Sequence, residues 1–438
     1  MPWNAFFFRK SGLSNTIVFL ALLLPATLVG CSGSGSGISL APEEDLCNVL
    51  CIDQRLSAFP GQVVMNVSLK LPAVPRASVP GSGTWTKWRP NRLPGTSSTD
   101  RSVGGVSIDE VWNPGAPGRT DDEMYLAAIE TRPGKIGRPG DIMINAQRAT
   151  ALWTPWVVAN AIENGTTYAV PPSRLSNFTQ ASLAMVNGEL HICAVRASGE
   201  LYHVSRTVTA PGATTTTYRT WLDVETVAGE HGKFVHVSCA GVRNLSTGTD
   251  DLHLVARTED RHTWYTVASG MPLTGTSGSP PTWKPFEDLE ATLGTPLASS
   301  EITDAGTESG GLNLVSLTGT GNGPFQLMHY VRFKSGAWSK GTDLIAGAPG
   351  VPPAPNGRIA IARCQHGVQP PERQHLAVAL QVGNHVYFTV VSTGIEDWDG
   401  NSSTSETYLR PWEDLSALPG FEPGDIASIS VSERVFDP

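Results

Sequence analysis

The chain has 438 residues, a net charge of −9 and only 16% charged residues. Its 45 glycines and 33 prolines suit many short strands and turns better than long helices. No basic patch is present, which argues against a nucleic-acid partner, and the acidic balance bears on solubility rather than on a particular ligand.

The N-terminal residues have the pattern of an export signal. Arg9 and Lys10 precede an apolar run at residues 16–30, and a basic start followed by a short apolar core is typical of a secretory signal. The run is too short, and too interrupted by Pro25, to favour a membrane span. The sequence therefore predicts that residues 1–30 are a signal peptide.

The apolar run ends in LVGC, whose cysteine is Cys31, and SGSGSG follows. This motif resembles the lipobox of bacterial lipoproteins. The resemblance implies that the chain is cut before Cys31, that Cys31 is acylated, and that the acyl chains anchor the protein to a membrane. Ser32 stands where that family often has an inner-membrane retention Asp, so the resemblance favours a bacterial outer membrane or cell surface. The alternative is an ordinary signal peptide with a chance cysteine.

Residues 31–54 are expected to form a flexible tether followed by a short helix. The sequence PEE at 42–44 is a fair helix start, and Cys47 and Cys51 would then share one helix face. A disulfide between them is possible in an exported protein, although that helical spacing is awkward for it, and a metal site would need more ligands. The other cysteines lie in apolar, strand-like segments and are expected to be buried: Cys193, Cys239 and Cys364.

Beyond residue 55 the sequence repeats itself. A two-stranded hairpin returns about every sixty residues, as GELHICAVRASGELYHVSR illustrates at 188–206. Each copy follows one further strand-like element and precedes a closing segment, usually aromatic with Asp and Leu at its end. The hairpins begin at Met124, Leu190, Leu252, Leu312 and His375. Four short strands in a radial repeat indicate a β-propeller blade, because such a unit cannot bury its faces alone.

The two ends of the chain supply one more copy. The closing segment is matched by GTWTKWRPNRL, which begins at Gly83, and the preceding QVVMNVSLKL supplies one or more strands. The element that opens a blade is matched near the C-terminus by DIASISVSERV, which begins at Asp425. We predict an all-β fold at residues 55–438: a β-propeller of six four-stranded blades, the last one closed by N- and C-terminal strands so that no sheet edge stays free. Five or seven blades are the alternatives, since the fourth copy is short and the fifth carries an insertion.

The second copy resembles the repeats of fucose-binding and tachylectin-like propeller lectins. The matching residues are Leu201, Tyr202, His203, Arg206 and Trp221. In that family sugars sit between blades, stacked on aromatic rings and held by Arg or polar side chains. The resemblance therefore implies four ligand-binding candidates: Tyr202, His203, Arg206 and Trp264.

A structural role is the alternative for these residues. Aromatic residues that recur once per blade commonly pack blade against blade, and recurring arginines pair with a recurring Asp of the closing segment. The arginines are Arg148, Arg206 and Arg332, and the Asp residues are Asp223, Asp288, Asp343 and Asp414.

The sequence does not favour an enzyme. Propeller glycosidases need paired carboxylates, and TEDRHTW at 258–264 lacks the Gly and the spacing of a sialidase Asp box. No G-x-S-x-G elbow and no zinc-binding His or Cys spacing is present. DWDGNSSTSE, from Asp397, lacks the Gly and Glu positions of a calcium loop. We predict no catalytic residue, no metal and no cofactor.

We expect a protein that is lipid-anchored at the outer membrane or cell surface and whose propeller recognises a glycan or another envelope component. Its partners would be the membrane, through the acylated N-terminus, and that glycan or envelope protein, but no nucleic acid. Two other functions stay open: a scaffold or assembly lipoprotein that contacts proteins only, and a glycosidase-like hydrolase. A propeller fold does not choose among them.

Overall fold

The described chain consists mainly of strands. The structure, a computed structural model, describes residues 47–55, 60–69, 84–85, 89–90, 103–111, 123–130, 139–148, 157–159, 175–207, 217–218, 221–271, 281–304, 310–319, 325–346, 348, 350, 352, 357–364, 375–392, 407–418 and 425–434. Its helical segments are α1 (Glu225–Ala228), α2 (Leu289–Leu293) and the 3-10 helix Leu415–Ala417. The prediction of an all-β fold is confirmed.

The strands are short and evenly distributed. The first eight are β1 (Cys47–Arg55), β2 (Pro60–Leu69), β3 (Thr84–Trp85), β4 (Arg89–Pro90), β5 (Val103–Val111), β6 (Glu123–Glu130), β7 (Ile142–Arg148) and β8 (Val157–Val158). The next ten are β9 (Phe178–Val186), β10 (Glu189–Arg196), β11 (Leu201–Thr207), β12 (Thr217–Tyr218), β13 (Leu222–Asp223), β14 (Phe234–Asn244), β15 (Thr249–Thr258), β16 (Thr263–Ser269), β17 (Thr282–Trp283) and β18 (Glu287–Asp288). The last nine are β19 (Leu297–Asp304), β20 (Leu312–Thr318), β21 (Gln326–Arg332), β22 (Thr342–Asp343), β23 (Ile359–Cys364), β24 (His375–Val382), β25 (His385–Ser392), β26 (Thr407–Asp414) and β27 (Asp425–Arg434).

In the described residues these strands form six antiparallel sheets. Sheet 1 contains β5 to β8, sheet 2 β9 to β13, sheet 3 β14 to β18, sheet 4 β19 to β22, and sheet 5 β23 to β26. Sheet 6 joins β27 to β1, β2, β3 and β4. Within sheets 1 to 5 the strands pair in chain order, except that β13 and β18 pair with β11 and β16, so each sheet is one copy of the repeat.

The sheets form a ring within the compact unit of residues 42–438. The opening strands β5, β9, β14, β19, β23 and β27 each contact the next, and β27 contacts β5. Each sheet therefore packs between two others, which is the arrangement of a β-propeller. Among the residues described, no helix has the length and apolar character that crossing a membrane requires.

The two ends of the chain complete sheet 6 together. β27 pairs with β1 along the whole of β1, from Cys47 opposite Arg434 to Arg55 opposite Asp425. The predicted closure by N- and C-terminal strands is therefore confirmed. The prediction of a short helix within residues 31–54 is wrong, because residues 47–55 form the strand β1. The local sequence is compatible with a helix, but as a strand this segment pairs with both β2 and β27. A helix here would leave the backbone N–H and C=O groups along the facing edges of β2 and β27 without partners.

The strand also separates two cysteines. Cys47 and Cys51 lie four residues apart on β1, which places their Cα atoms about 13 Å apart at ~3.3 Å per residue. A disulfide requires Cα atoms within about 7 Å. A disulfide between these two cysteines is therefore excluded.

Both faces of the inner strands are buried. In β10, Cys193 and Val195 belong to the apolar core between sheets 2 and 3, whereas Ile192 and Ala194 belong to the core between sheets 1 and 2. Similar cores fill the interfaces between sheets 3 and 4, 4 and 5, and 5 and 6. Burial of apolar surface between successive sheets thus stabilises units that are too small to be stable singly.

Hydrogen bonds also cross from sheet to sheet. The Ser182 Oγ accepts from the Cys239 backbone N–H at 3.0 Å, and the Ser238 Oγ accepts from the Ile302 backbone N–H at 3.1 Å. The two serines occupy equivalent positions of β9 and β14, so one inter-sheet bond recurs. A further hydrogen bond joins sheet 2 to sheet 3, in which the Asp250 backbone N–H donates to the Asn187 Oδ1 at 2.7 Å.

The Asp that recurs in the closing segments caps the turn that follows it. Asp288 and Asp414, for example, accept a backbone N–H three and two residues further on, at 3.0 Å and 2.9 Å. Asp223 and Asp343 do the same. In the part of the chain that the structure describes, none of them forms an ion pair with Arg332, so the recurring Asp is a local cap rather than the partner of that arginine.

Several sequence predictions fall outside the described residues. They are the signal peptide, Cys31 and the tether up to residue 46, together with the calcium-like sequence from Asp397.

Candidate ligand-binding site between sheets 3 and 4

Buried polar pairs recur at the same place in sheets 2, 3 and 4. One member lies on the second strand of the sheet and the other on the third strand, and both point to the same side. The pairs are His191 Nδ1 with His203 Nε2 at 2.9 Å, His253 Nδ1 with Tyr265 Oη at 2.6 Å, and Asn313 Oδ1 with His329 Nε2 at 3.0 Å. Each sheet thus presents a hydrogen-bonded pair toward the next sheet.

Sheet 4 contributes a cation and an aromatic ring opposite the pair of sheet 3. The Arg332 Cζ lies 5.3 Å from the centroid of the Tyr265 ring. The Trp338 ring meets the same tyrosine edge to face, with 5.7 Å between centroids and 80° between planes. We call His253, Tyr265, Arg332 and Trp338 the 3–4 site.

The local fold explains why Arg332 and Trp338 act together. Arg332 ends β21, and a turn brings the chain back so that Arg332 and Trp338 pair across an isolated antiparallel bridge. Opposite residues of such a pair project to the same face. Both side chains therefore reach sheet 3 from adjacent backbone positions.

The electrostatics keep the buried pair uncharged. Burial lowers the pKa of His253 well below its ordinary value, and the positive charges of Arg332 and Lys284 lower it further. Burial raises the pKa of Tyr265 above its ordinary value. At neutral pH the phenol stays protonated and the imidazole neutral, so one hydrogen bond joins them and Arg332 carries the positive charge of the 3–4 site.

Two donors of the site have no acceptor. The Arg332 Nε and the Trp338 Nε1 are buried atoms without a hydrogen-bond partner among the described residues. The two residues themselves remain partly exposed. A guanidinium and an indole can only donate, so the 3–4 site offers unused donors beside two aromatic rings.

The equivalent interface between sheets 2 and 3 differs by one residue. Trp283 there meets His203 edge to face at 5.5 Å, as Trp338 meets Tyr265. The position of Arg332, however, is occupied by Ala268, which pairs with Trp283. The 2–3 interface therefore has the aromatic components without the guanidinium.

Of the four candidates from sequence, Tyr202 and Trp264 occupy equivalent positions in aromatic packing clusters. Tyr202 meets Phe178 edge to face at 6.3 Å, and Phe178 stacks on Trp221 at 5.2 Å. Trp264 stacks on His231 at 3.8 Å. One face of the Trp264 ring is thus already covered by a side chain of the protein.

The structure does not bring the four candidates into one site. Tyr202 packs toward sheet 1, whereas His203, the next residue of β11, faces Trp283 of sheet 3. Trp264 packs into the interface between sheets 2 and 3, and the Arg206 side chain lies outside the described residues. The sequence did place Arg332 and Trp338 in the repeat, but it did not identify Tyr265 as their partner.

The described residues offer no metal centre. No three of their His, Cys, Asp and Glu side chains are grouped so that they could hold a metal ion.

The chain has a limited likeness to several solved structures. The chain is similar to a mutant of Aleuria aurantia lectin in complex with alpha-methyl-L-fucoside, with a TM-score of 0.42 and 11% identity over 87% of this chain and 99% of that one. It is similar to an arginine mutant of AofleA from Arthrobotrys oligospora, with a TM-score of 0.46 and 9% identity over 90% and 92% of the two chains. It is also similar to a structure of Aleuria aurantia lectin described as a six-bladed β-propeller. The TM-score is 0.40 and the identity is 11%, over 72% of this chain and 82% of that one. No protein-family model and no curated protein matches the sequence.

Proposed function

We propose that this chain is an exported, lipid-anchored protein of a bacterial envelope, and that its propeller binds a glycan at the 3–4 site without transforming it. The observation that carries the binding proposal is the pair of unused donors, on Arg332 and Trp338, beside the Tyr265 ring.

The chemistry of the 3–4 site fits a saccharide. A sugar ring has an apolar C–H face that packs on an aromatic ring, and hydroxyl and ring oxygens that need directional donors. Trp338, which is partly exposed, supplies the aromatic surface, and the buried Tyr265 packs against the Trp338 ring and lies beneath Arg332. Arg332 supplies a fork of donors whose charge strengthens each hydrogen bond to an oxygen.

The scaffold alternative has less support in the described residues. Protein-binding surfaces commonly show a contiguous apolar patch. In the described part of the chain, the exposed large hydrophobic residues are Val227, Val235 and Leu245. A protein partner would therefore have little apolar surface to cover there.

A glycan array probed with the full chain in detergent tests the binding proposal. Isothermal titration with the best glycan then compares wild type with Arg332→Ala and Trp338→Phe. We expect Arg332→Ala to weaken binding roughly 10- to 100-fold, because a hydrogen bond to a charged donor contributes ~1.5–3 kcal/mol.

Two matched variants serve as controls. Trp283→Phe alters the equivalent tryptophan of the interface without the arginine, and Arg243→Ala removes an arginine whose partner is Asp250 at 3.3 Å. Both should bind like wild type. Absence of any glycan ligand, or an equal loss in Trp283→Phe and Trp338→Phe, would refute the assignment. Cleavage of the bound glycan, followed by mass spectrometry, would favour the hydrolase.

The anchor is tested separately. Cells that express the chain with a labelled fatty acid should yield a labelled protein in the outer-membrane fraction, and Cys31→Ser should abolish the label. A labelled Cys31→Ser variant would contradict the lipobox interpretation while leaving the glycan proposal untouched.

A further inference from the structure

Two buried cysteines face each other across the interface between sheets 2 and 3. Cys193 lies on β10 and is fully buried, and Cys239 lies on β14 with 5% of its surface exposed. Both belong to the apolar core that these two sheets share. They come from different sheets and lie far apart in the chain, so their approach is a product of the fold.

Backbone geometry fixes this approach. Ser182 is the residue opposite Cys193 in the pairing of β9 with β10. The same serine accepts a hydrogen bond from the Cys239 backbone N–H at 3.0 Å. Cys239 is thus held beside the residue that neighbours Cys193, and both cysteines are free thiols buried in the same core.

We propose that Cys193 and Cys239 are a redox pair that closes to a disulfide linking sheet 2 to sheet 3. A disulfide needs Cα atoms about 4.4–6.8 Å apart and sulfurs about 2.05 Å apart. The fold brings these two free thiols into one core, because the Cys239 backbone is bonded to Ser182, the residue opposite Cys193.

A metal site is a poorer explanation of the same cysteines. His203 lies directly opposite Cys193 on β11, and thiolate and imidazole are typical zinc ligands. However, no three such groups in the described residues are placed to hold a metal ion. The His203 Nε2 is instead directed at the His191 Nδ1, at 2.9 Å.

The reaction is an exchange with a disulfide oxidant such as oxidised glutathione. One cysteine thiolate attacks the oxidant and releases one reduced thiol, and the second cysteine then attacks the mixed disulfide and releases the other. The two cysteines lose two protons and two electrons in total, and the oxidant becomes two thiols. The pair can therefore close without any group that the protein would have to supply.

Burial controls when this reaction happens. Burial and the neighbouring Cys239 raise the pKa of the Cys193 thiol well above its ordinary value, and only a thiolate attacks. Closure in the packed protein is therefore slow at neutral pH and faster while the chain folds. Oxidation in the cell depends on the proposed export to an oxidising compartment, whereas closure by an added oxidant does not.

Peptide mapping of the full chain tests the proposal. The protein is refolded in a glutathione buffer, free thiols are alkylated, and trypsin is added without reductant. Cys193 then lies in the tryptic peptide 175–196 and Cys239 in the peptide 234–243. We expect these two peptides as one linked species, lighter than their sum by two hydrogen atoms, and separated again by a reductant.

A stability measurement accompanies the mapping. Wild type should melt at a higher temperature after oxidation than after reduction, whereas Cys193→Ala and Cys239→Ala should melt at one temperature in both states. Two results would overturn the proposal. One is that both cysteines are recovered in alkylated form after refolding, and the other is that Cys193 is linked to other cysteines as often as to Cys239. Neither result bears on glycan binding, which is measured with Arg332→Ala.

Discussion

Replacing Tyr265 by Phe removes one oxygen atom from the interface between sheets 3 and 4. The ring, its edge contact with Trp338 and its position under Arg332 are retained, so the change isolates the hydrogen bond of 2.6 Å to His253. Tyr265 and His253 are 3% and 5% exposed, so water cannot replace the lost partner. We expect the variant to lose about 1–3 kcal/mol of unfolding free energy, the cost of leaving a buried polar atom without a partner.

A double-mutant cycle separates this cost from other effects. His253→Leu alone leaves the Tyr265 Oη without its partner and should cost a similar amount. Tyr265→Phe with His253→Leu removes both polar atoms, so the pair should cost clearly less than the sum of the single changes. Urea unfolding followed by tryptophan fluorescence and circular dichroism gives the four free energies. Additive costs, within about 0.5 kcal/mol, would refute a coupled pair.

Three other predictions concern pH, inter-sheet hydrogen bonds and glycine. The pKa of His253 is lower in the folded than in the unfolded protein, so the unfolded state binds the proton first. Stability should therefore fall as pH drops below about 6.5, and urea midpoints at pH 7 and pH 5 should differ more for wild type than for His253→Leu. Ser182→Ala and Ser238→Ala should each cost about 1–2 kcal/mol by urea unfolding, because each leaves a backbone N–H unpaired; unchanged midpoints would contradict the bonds. Gly140→Ala should lower the melting temperature far more than Gly270→Ala, because a Cβ at Gly140 would lie 2.3 Å from a neighbouring backbone atom, while a Cβ at Gly270 would have nothing within 4 Å; equal shifts would contradict this.

The sequence predicted the propeller because the repeat is a property of spacing. Strand-length elements, turn residues and the closing segment recur at intervals that survive even where single residues differ. The closure through Asp425 could be predicted for the same reason, since the last strand matches the opening element of the other copies. The conformation of residues 47–55 could not be predicted, because their short apolar pattern fits either a helix or a strand. Pairing with the neighbouring strands β2 and β27 decides in favour of a strand.

The site was harder to predict because the strands are buried on both faces. A half-buried strand alternates apolar and polar residues, and this alternation tells which face each residue occupies. In β10 nearly every residue is buried, so that information is lost. The sequence therefore indicated that Tyr202 and His203 share a copy of the repeat, but not that they face different sheets. For the same reason it did not show that Arg332 of one copy reaches Tyr265 of another.

The position of β1 has a mechanical consequence. This nine-residue strand lies between β2 and β27, with antiparallel partners on both sides. A force directed along this strand would be resisted by both rows of hydrogen bonds together, in shear. Peeling them one after another would need a force directed across the strand. A pull along β1 would thus meet more resistance at the joint between the two chain ends than a pull across it.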